Sequence, residues 1–352
     1  MFYLNEDLKG LTRIFPQDGR KGYLRLDLNE NPNGLPQEII DSALSKINSQ
    51  IISQYPEEEK FTKILADHIC MHPDNICLVN GSAEGIRYII QAYTSPNGRI
   101  VGVVPSYFMY QVYSEMYGRV FVKVGYDNDL TMDVDNIISE LTNDTQLLIL
   151  MNPNNPMGNV YTDDEFSLIL KKCKEKEITI LIDEAYYYFH PKTYLKFILG
   201  NKHVFVTRTF SKFFSMAGCR LGYVIGNKED IHYVKKMITP HNINIFAITL
   251  AKEILMHPEI IELLKKQFNG GREYLLSELN SNGYKYKGEA GNFLLININS
   301  DADEIVEKMK KERKILIKSY HDMGIFDNCI RVSIGDKKCM EKFMDALIEF
   351  DQ

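Results

Sequence analysis

No CxxC pair occurs among the six cysteines (Cys70, Cys77, Cys173, Cys219, Cys329 and Cys339), and most of them sit in apolar or helical surroundings. Such usage fits reduced thiols in a cytoplasmic protein better than a disulfide framework. Basic charge is not in excess either. Lysine and arginine total 41 against 47 acidic residues, a net charge of −6. No global field therefore draws the chain to nucleic acid or to an anionic membrane, although local arginines can still bind small anions. No apolar run approaches the roughly 20 residues that cross a bilayer. The opening MFYLNEDLKG lacks the basic head and apolar run of a secretory signal. Internal repeats and low-complexity linkers are missing too. What remains is ordinary for a globular protein: 352 residues, 45% hydrophobic and 25% charged, enough for one large domain or two smaller ones.

Short apolar runs separated by helical patterns organise the chain. Strands are expected at 76–80, 99–104, 120–124, 146–151, 178–183, 203–208 and 221–226. Most are rich in Val, Ile and Leu without alternation, the pattern of strands buried on both faces. Helical stretches at 83–93, 107–117 and 163–176 fall between them. That alternation implies an α/β fold with a mainly parallel sheet of about seven strands, helices on both sides. Ligands of such sheets gather beyond the carboxyl ends of the strands. The last hundred residues read differently: a polar helix at 258–282, a strand at 292–297, a helix at 302–312, strands at 315–319 and 329–334, and a helix at 336–349. The expected organisation is a large domain over 30–247 and a smaller α+β domain over 248–352, with 1–29 joining the small domain.

The polar signals fall at strand ends. The run 178–183 ends in Asp183-Glu184-Ala185-Tyr186, and an acid emerging from a buried strand is costly without a cationic partner. Arg208-Thr209-Phe210-Ser211-Lys212 follows the next strand, and Arg220 opens the one after it. Upstream, 146–151 runs into Asn152-Pro153-Asn154-Asn155-Pro156-Met157-Gly158, where prolines and glycine shape the loop and leave an Asn amide exposed. Each piece alone is weak. An Asp at a strand end is more often a cap or half of an ion pair, and a lone lysine is usually solvated.

Together and in this order, the pieces resemble fold-type I pyridoxal-5′-phosphate (PLP) enzymes of the aspartate aminotransferase superfamily, and most closely its histidinol-phosphate aminotransferase branch. The likeness covers nearly the whole chain. It includes Leu28-Asn29-Glu30-Asn31-Pro32, Gln54-Tyr55-Pro56, Asn80-Gly81-Ser82-Ala83-Glu84-Gly85, Pro105-Ser106-Tyr107-Phe108-Met109-Tyr110 and Ile330-Arg331-Val332-Ser333. The resemblance implies that residues 30–247 form the PLP domain, with Lys212 as the Schiff-base lysine and Asp183 facing the ring nitrogen. Freed by substrate, Lys212 would act as general acid and base at Cα, its pKa depressed by burial and nearby positive charge. Asn155 and Tyr186 would hydrogen-bond the ring's phenolic oxygen, and Tyr107 would stack on the ring. Gly81, Ser82 and Ala83, where a strand turns into a helix, would offer backbone N–H groups to the phosphate. Thr209, Ser211 and Arg220 would complete that cup. Tyr55 would reach across a homodimer interface to the partner's phosphate, making the active sites shared. Arg331 would grip the substrate carboxylate, where a planar fork suits better than a lysine. Asn31 and Lys318 complete the expected substrate contacts.

The substrate pattern departs from the family in places. Lys318 in Ile315-Leu316-Ile317-Lys318 stands where that branch carries a phosphate-binding arginine, Met157 replaces a threonine, and 11–16 holds no counterpart of the usual tyrosine-containing stretch. The expected reaction is transfer of an amino group between an amino acid, with glutamate as donor, and a small phosphorylated keto substrate. Segment 315–319 followed by Arg331-Val332-Ser333-Ile334 is also similar to threonine-phosphate decarboxylases, so decarboxylation of a phosphorylated amino acid is the alternative. A non-catalytic sensor is a third reading. Regulators of that kind carry a DNA-binding domain ahead of the fold, and the Asn29-Glu30-Asn31-Pro32 motif here starts too early for one. His68 and His72, four apart, read as helix-end histidines rather than metal ligands. In the run Tyr186-Tyr187-Tyr188-Phe189 only Tyr186 is a site candidate, and the lysines at 171–176 form a solvated helix face.

Overall fold

The computed structural model describes residues 4–12, 19–323 and 326–351; of the stretch 11–16, residues 13–16 lie outside them. A short β1 (Leu24–Arg25) precedes the apolar runs, which become β2 (Ile76–Val79), β3 (Arg99–Val104), β4 (Val120–Gly125), β5 (Thr145–Met151), β6 (Thr179–Asp183), β7 (Val204–Thr209) and β8 (Gly222–Ile225). These seven strands, β2 to β8, form one sheet in the order β2-β8-β7-β6-β5-β3-β4. Every residue of β2, β6, β7 and β8 is buried, which is why their sequences do not alternate. Helices including Ser82–Tyr93, Met109–Met116 and Asp163–Glu175 cover the sheet. The last begins with a reciprocal capping box between Thr162 and Glu165.

Strand direction places the site. The neighbours β4-β3-β5-β6-β7 are all parallel, whereas β8 runs antiparallel to both β7 and β2. The carboxyl ends of β2, β3, β5, β6 and β7 therefore share one edge of the sheet with the amino end of β8. Asp183, Thr209 and Gly81 arrive there at or just after strand ends, and Arg220 arrives ahead of a strand start.

A second sheet is antiparallel. It contains β9 (Tyr286–Lys287), β10 (Phe293–Asn297), β12 (Lys318–Met323) and β13 (Phe326–Ser333), in the order β12-β13-β10-β9. Between them, β11 (Ile315–Leu316) pairs in parallel with β1. The single strand expected at 315–319 is thus divided at Ile317, because its first half takes the N-terminal segment as partner and its second half takes β13. The expected helix at 302–312 is α-helical over Ala302–Lys308, and a π-helical turn, Met309–Arg313, carries it to Lys314 in the left-handed region.

One buried cluster lines one face of the first sheet, with Leu148, Ile180, Val206, Phe210 and Phe214 among its members, and a separate cluster with Leu147, Leu181 and Phe205 lines the other. Another packs Leu294, Ile296, Ile330, Val332 and Phe343 together with Leu26 from the N-terminal segment. The 24-residue helix Pro258–Ser281 contributes Ile260, Ile261 and Leu264 to the first core, then Leu275 and Leu279 to the second. Among the described residues no helix is long and apolar enough to cross a membrane.

Candidate active site

At the end of β2, Gly81 adopts φ +81° and Ser82 opens the helix Ser82–Tyr93, whose first turn has no side-chain cap. A Cβ on Gly81 would lie 2.5 Å from Nη2 of Arg220. Only glycine lets the backbone approach the guanidinium so closely at that φ. Arg220 itself, in the left-handed region, donates through Nη1 to Ser211 Oγ at 3.3 Å and to the Ala217 carbonyl at 3.0 Å. The Ser211 N–H donates to Thr209 Oγ1 at 3.1 Å. Gly81, Ser82, Ala83, Thr209, Ser211 and Arg220 are therefore one neighbourhood. Uncapped N–H groups at a helix start, two hydroxyls and a guanidinium form a cradle suited to a phosphate.

Asp183 is buried at the end of β6. Its Oδ2 accepts from Tyr110 Oη at 2.8 Å, and its Oδ1 accepts from Thr207 Oγ1 and the Ala185 N–H, both at 3.2 Å. It forms no ion pair among the described residues. Burial pushes its carboxyl up to about 6 despite the three donors. The cationic partner expected for this strand end goes instead to Glu184, which Arg208 grips through Nε at 2.9 Å and Nη2 at 2.7 Å. Successive residues of a strand point to opposite faces, so that pair lies behind the sheet and Asp183 stands in front of it, lacking a countercharge. A protonated pyridine nitrogen would supply one. Tyr107 sits edge-on to Tyr110, ring centroids 5.5 Å apart.

Lys212 is half-buried and donates from Nζ to the Leu28 carbonyl at 2.8 Å. Desolvation, reinforced by Arg331 and Arg220 and opposed by Glu30 and Asp183, pulls its ammonium down to about 8. Tyr186 Oη accepts from Asn29 Nδ2 at 2.7 Å and from Asn155 Nδ2 at 3.2 Å. The Asn155 carbonyl oxygen in turn accepts from Arg331 Nη1 at 2.8 Å. Arg331 is 5% exposed; it also donates to Tyr320 Oη at 3.1 Å and to the Asp27 carbonyl. Lys318 is directly opposite Arg331 in the β12–β13 ladder, hence on the same face, with its ammonium 5.1 Å from the Tyr320 ring centroid.

Two expected contacts are not assembled with the rest. Tyr55 is 78% exposed and stacks on His241, ring centroids 4.4 Å apart. Asn31 donates from Nδ2 to Ser215 Oγ at 2.7 Å and accepts the Asn33 N–H, in the wall of a cleft shared with Glu30 and Ser211. Outside the site, His68 hydrogen-bonds Tyr188 at 3.0 Å. Sequence reasoning passed over Tyr110, Asn29 and Tyr320. The signal for Tyr110 was available: it follows Tyr107 by three residues at the start of a helix, so both reach the same side. Asn29 lay within the Leu28-Asn29-Glu30-Asn31-Pro32 motif, from which only Asn31 was taken as a contact, and nothing local marks Tyr320.

Comparison with known proteins identifies the family. The model for class I and II aminotransferases matches residues 21–347. The chain is 30% identical over 350 residues to the histidinol-phosphate aminotransferase of Caldanaerobacter subterraneus subsp. tengcongensis, covering 98% of both proteins. Among solved structures it is similar to the histidinol-phosphate aminotransferase of Clostridium acetobutylicum, with TM-score 0.83 and 30% identity over 93% of this chain and 99% of that one. The fold is also that of the Sinorhizobium meliloti histidinol-phosphate aminotransferase, solved in complex with pyridoxal-5′-phosphate, at TM-score 0.88 and 21% identity over 98% and 96% of the two chains. Matched over nearly its whole length by that family's model, the chain belongs to the class I and II aminotransferases and is a PLP-dependent enzyme.

Proposed function

We propose that this enzyme transfers an amino group from an amino acid, with glutamate as donor, to a small phosphorylated keto substrate. The observation that carries the reading is the juxtaposition of Arg331 and Lys318. They are directly opposite on neighbouring strands, and neither has an acidic partner among the described residues. Like charges so placed repel, and an anionic substrate lying between them relieves the repulsion. Arg331, its planar fork aimed by Asn155, Tyr320 and the Asp27 carbonyl, is assigned the carboxylate. Lys318 is assigned the distal phosphate, as a point charge.

Bound PLP supplies the electron sink that lets a bond at the substrate's Cα break. The chain's own residues do the rest. Asp183, buried and without an ion-pair partner among the described residues, would hold the proton on the ring nitrogen. Lys212, with a pKa near 8, is poised to take and return the Cα proton near neutral pH. Asn155 and Tyr186 would hydrogen-bond the ring's phenolic oxygen, and Tyr107 would stack on the ring. Gly81, Ser82, Ala83, Thr209, Ser211 and Arg220 would hold the cofactor phosphate. Tyr55, exposed and stacked on His241 rather than on any of these groups among the described residues, is assigned to the partner's phosphate in a homodimer. Asn31 is assigned to the substrate mouth. We place the large domain at 30–247 and the small one at 248–352, with Leu26 in the second core supporting attachment of the N-terminal segment to the small domain.

The test is a screen of phosphorylated keto compounds with glutamate as donor. Release of 2-oxoglutarate with amination of one acceptor supports the proposal. Carbon dioxide released from a phosphorylated amino acid, without transfer, would replace it with decarboxylation.

A further inference from the structure

Three consecutive residues of the N-terminal strap reach three different groups of the site. The Asp27 carbonyl accepts from Arg331, the Leu28 carbonyl from Lys212, and Asn29 Nδ2 donates to Tyr186 Oη at 2.7 Å. The strap is itself tied to the second sheet and its flank. The Leu26 N–H donates to the Leu316 carbonyl and the Leu26 carbonyl accepts from the Ser333 N–H, each at 2.8 Å. The Asn29 N–H donates to Ser333 Oγ at 2.9 Å, and Asn292 Nδ2 donates to the Asn29 carbonyl at 3.1 Å.

Asn29 is 1% exposed with φ +55°. That left-handed conformation disfavours most side chains, while asparagine tolerates it and glycine adopts it freely. A turn alone would be served by glycine. What asparagine adds is the side-chain amide, and that amide is engaged by Tyr186.

We propose that Asn29 is a positioning residue that polarises the Tyr186 hydroxyl, and that docking of the strap on the small sheet thereby sets the strength of that hydroxyl as a donor. This rests on the reading of Tyr186 as facing the cofactor's phenolic oxygen. A tyrosine oxygen has two acceptor positions and one proton. Here both acceptor positions are taken by N–H donors, Asn29 from the strap and Asn155 from the loop after β5. The proton is left for a third partner, and donors pulling on the oxygen make its O–H a stronger donor. Losing the Asn29 amide weakens that donor and leaves more negative charge on the ring oxygen, so the protonated form of the chromophore persists to higher pH.

The experiment compares holoenzymes carrying Asn29→Gly, Asn29→Asp, Tyr186→Phe, and Asn29→Gly with Tyr186→Phe. Glycine keeps the backbone conformation; aspartate keeps the size but replaces the donor with an acceptor. The readouts are the pH midpoint of the visible absorption band, kcat and KM for the glutamate half-reaction, and the thermal midpoint of cofactor-free protein. In Asn29→Gly the band midpoint rises by about half a unit to one unit, the worth of one hydrogen bond. Its kcat falls about threefold to tenfold at unchanged KM, and the cofactor-free protein melts a few degrees lower, having lost the same buried hydrogen bond, while remaining folded at the assay temperature. Asn29→Asp moves the band further in the same direction, and the double variant moves no further than Tyr186→Phe. A glycine variant with wild-type band and kcat reduces Asn29 to a backbone role and overturns the proposal. So does a double variant whose shifts add. An unmoved band in Tyr186→Phe defeats the reading of Tyr186 itself, and the role of Asn29 with it.

Discussion

Replacing Asp183 by asparagine should move stability and activity in opposite directions. The carboxylate is fully desolvated, and its pKa rises from an ordinary 3.8 to about 6. A folded-state pKa above the unfolded one means that the folded protein binds the proton more tightly. Stability of the cofactor-free enzyme is therefore lost as pH rises from about 4 through about 6, and the lost part is missing at every higher pH. The shift of roughly two units corresponds to about 3 kcal/mol at 1.36 kcal/mol per unit. Asparagine fits the same space. Its oxygen at the Oδ1 position keeps the Thr207 and Ala185 donors, and its NH2 meets a Tyr110 hydroxyl that can rotate to accept. The cofactor-free Asp183→Asn protein should thus be more stable than wild type at pH 8, with the gain vanishing near pH 4. Denaturant melts at the two pH values measure it. The same amide cannot hold the ring nitrogen's proton by charge. A charge-assisted hydrogen bond of roughly 1.5–3 kcal/mol is lost, so glutamate turnover should fall at least about tenfold. Equal stability of the two proteins at pH 8, or near-normal turnover of the variant, would refute the reasoning.

Borohydride reduction of the holoenzyme followed by peptide mapping should label Lys212 and no other lysine; a label elsewhere removes it from the site. Lys318→Met should raise KM for a phosphorylated acceptor and spare the glutamate half-reaction, with about tenfold or more lost in kcat/KM, whereas equal losses in both would indicate a defect in folding or closure. Mixing Tyr55→Phe with inactive Lys212→Ala subunits should change PLP retention in a subunit-crossed manner, and retention that tracks each chain separately would confine the site to one chain.

How much of this was legible without coordinates follows from the range of the interactions involved. The strands of the large sheet were readable because a strand buried on both faces must be apolar throughout, and β3 falls on the very residues expected, Arg99–Val104. Asp183, Lys212 and Arg220 were singled out because each lies in a motif at a strand end, and the structure brings the three close enough for Asp183 and Arg220 to act on the Lys212 ammonium. The parallel fold with its smaller partner, and the cofactor, followed from those motifs. Tertiary structure alone decided where the charges went. Neighbouring acids, Asp183 and Glu184, read alike in sequence, yet strand alternation sends one to the front of the sheet and the other to Arg208 behind it. The antiparallel course of β8 brings Arg220 to the shared edge, and the choice of partner strand splits 315–319 at Ile317. Asn29 and Tyr186 are separated by 157 residues, and Arg331 and Asn155 by 176. Hydrogen bonds over such separations leave no periodicity or spacing in the chain, since they exist only once segments distant in sequence have packed together.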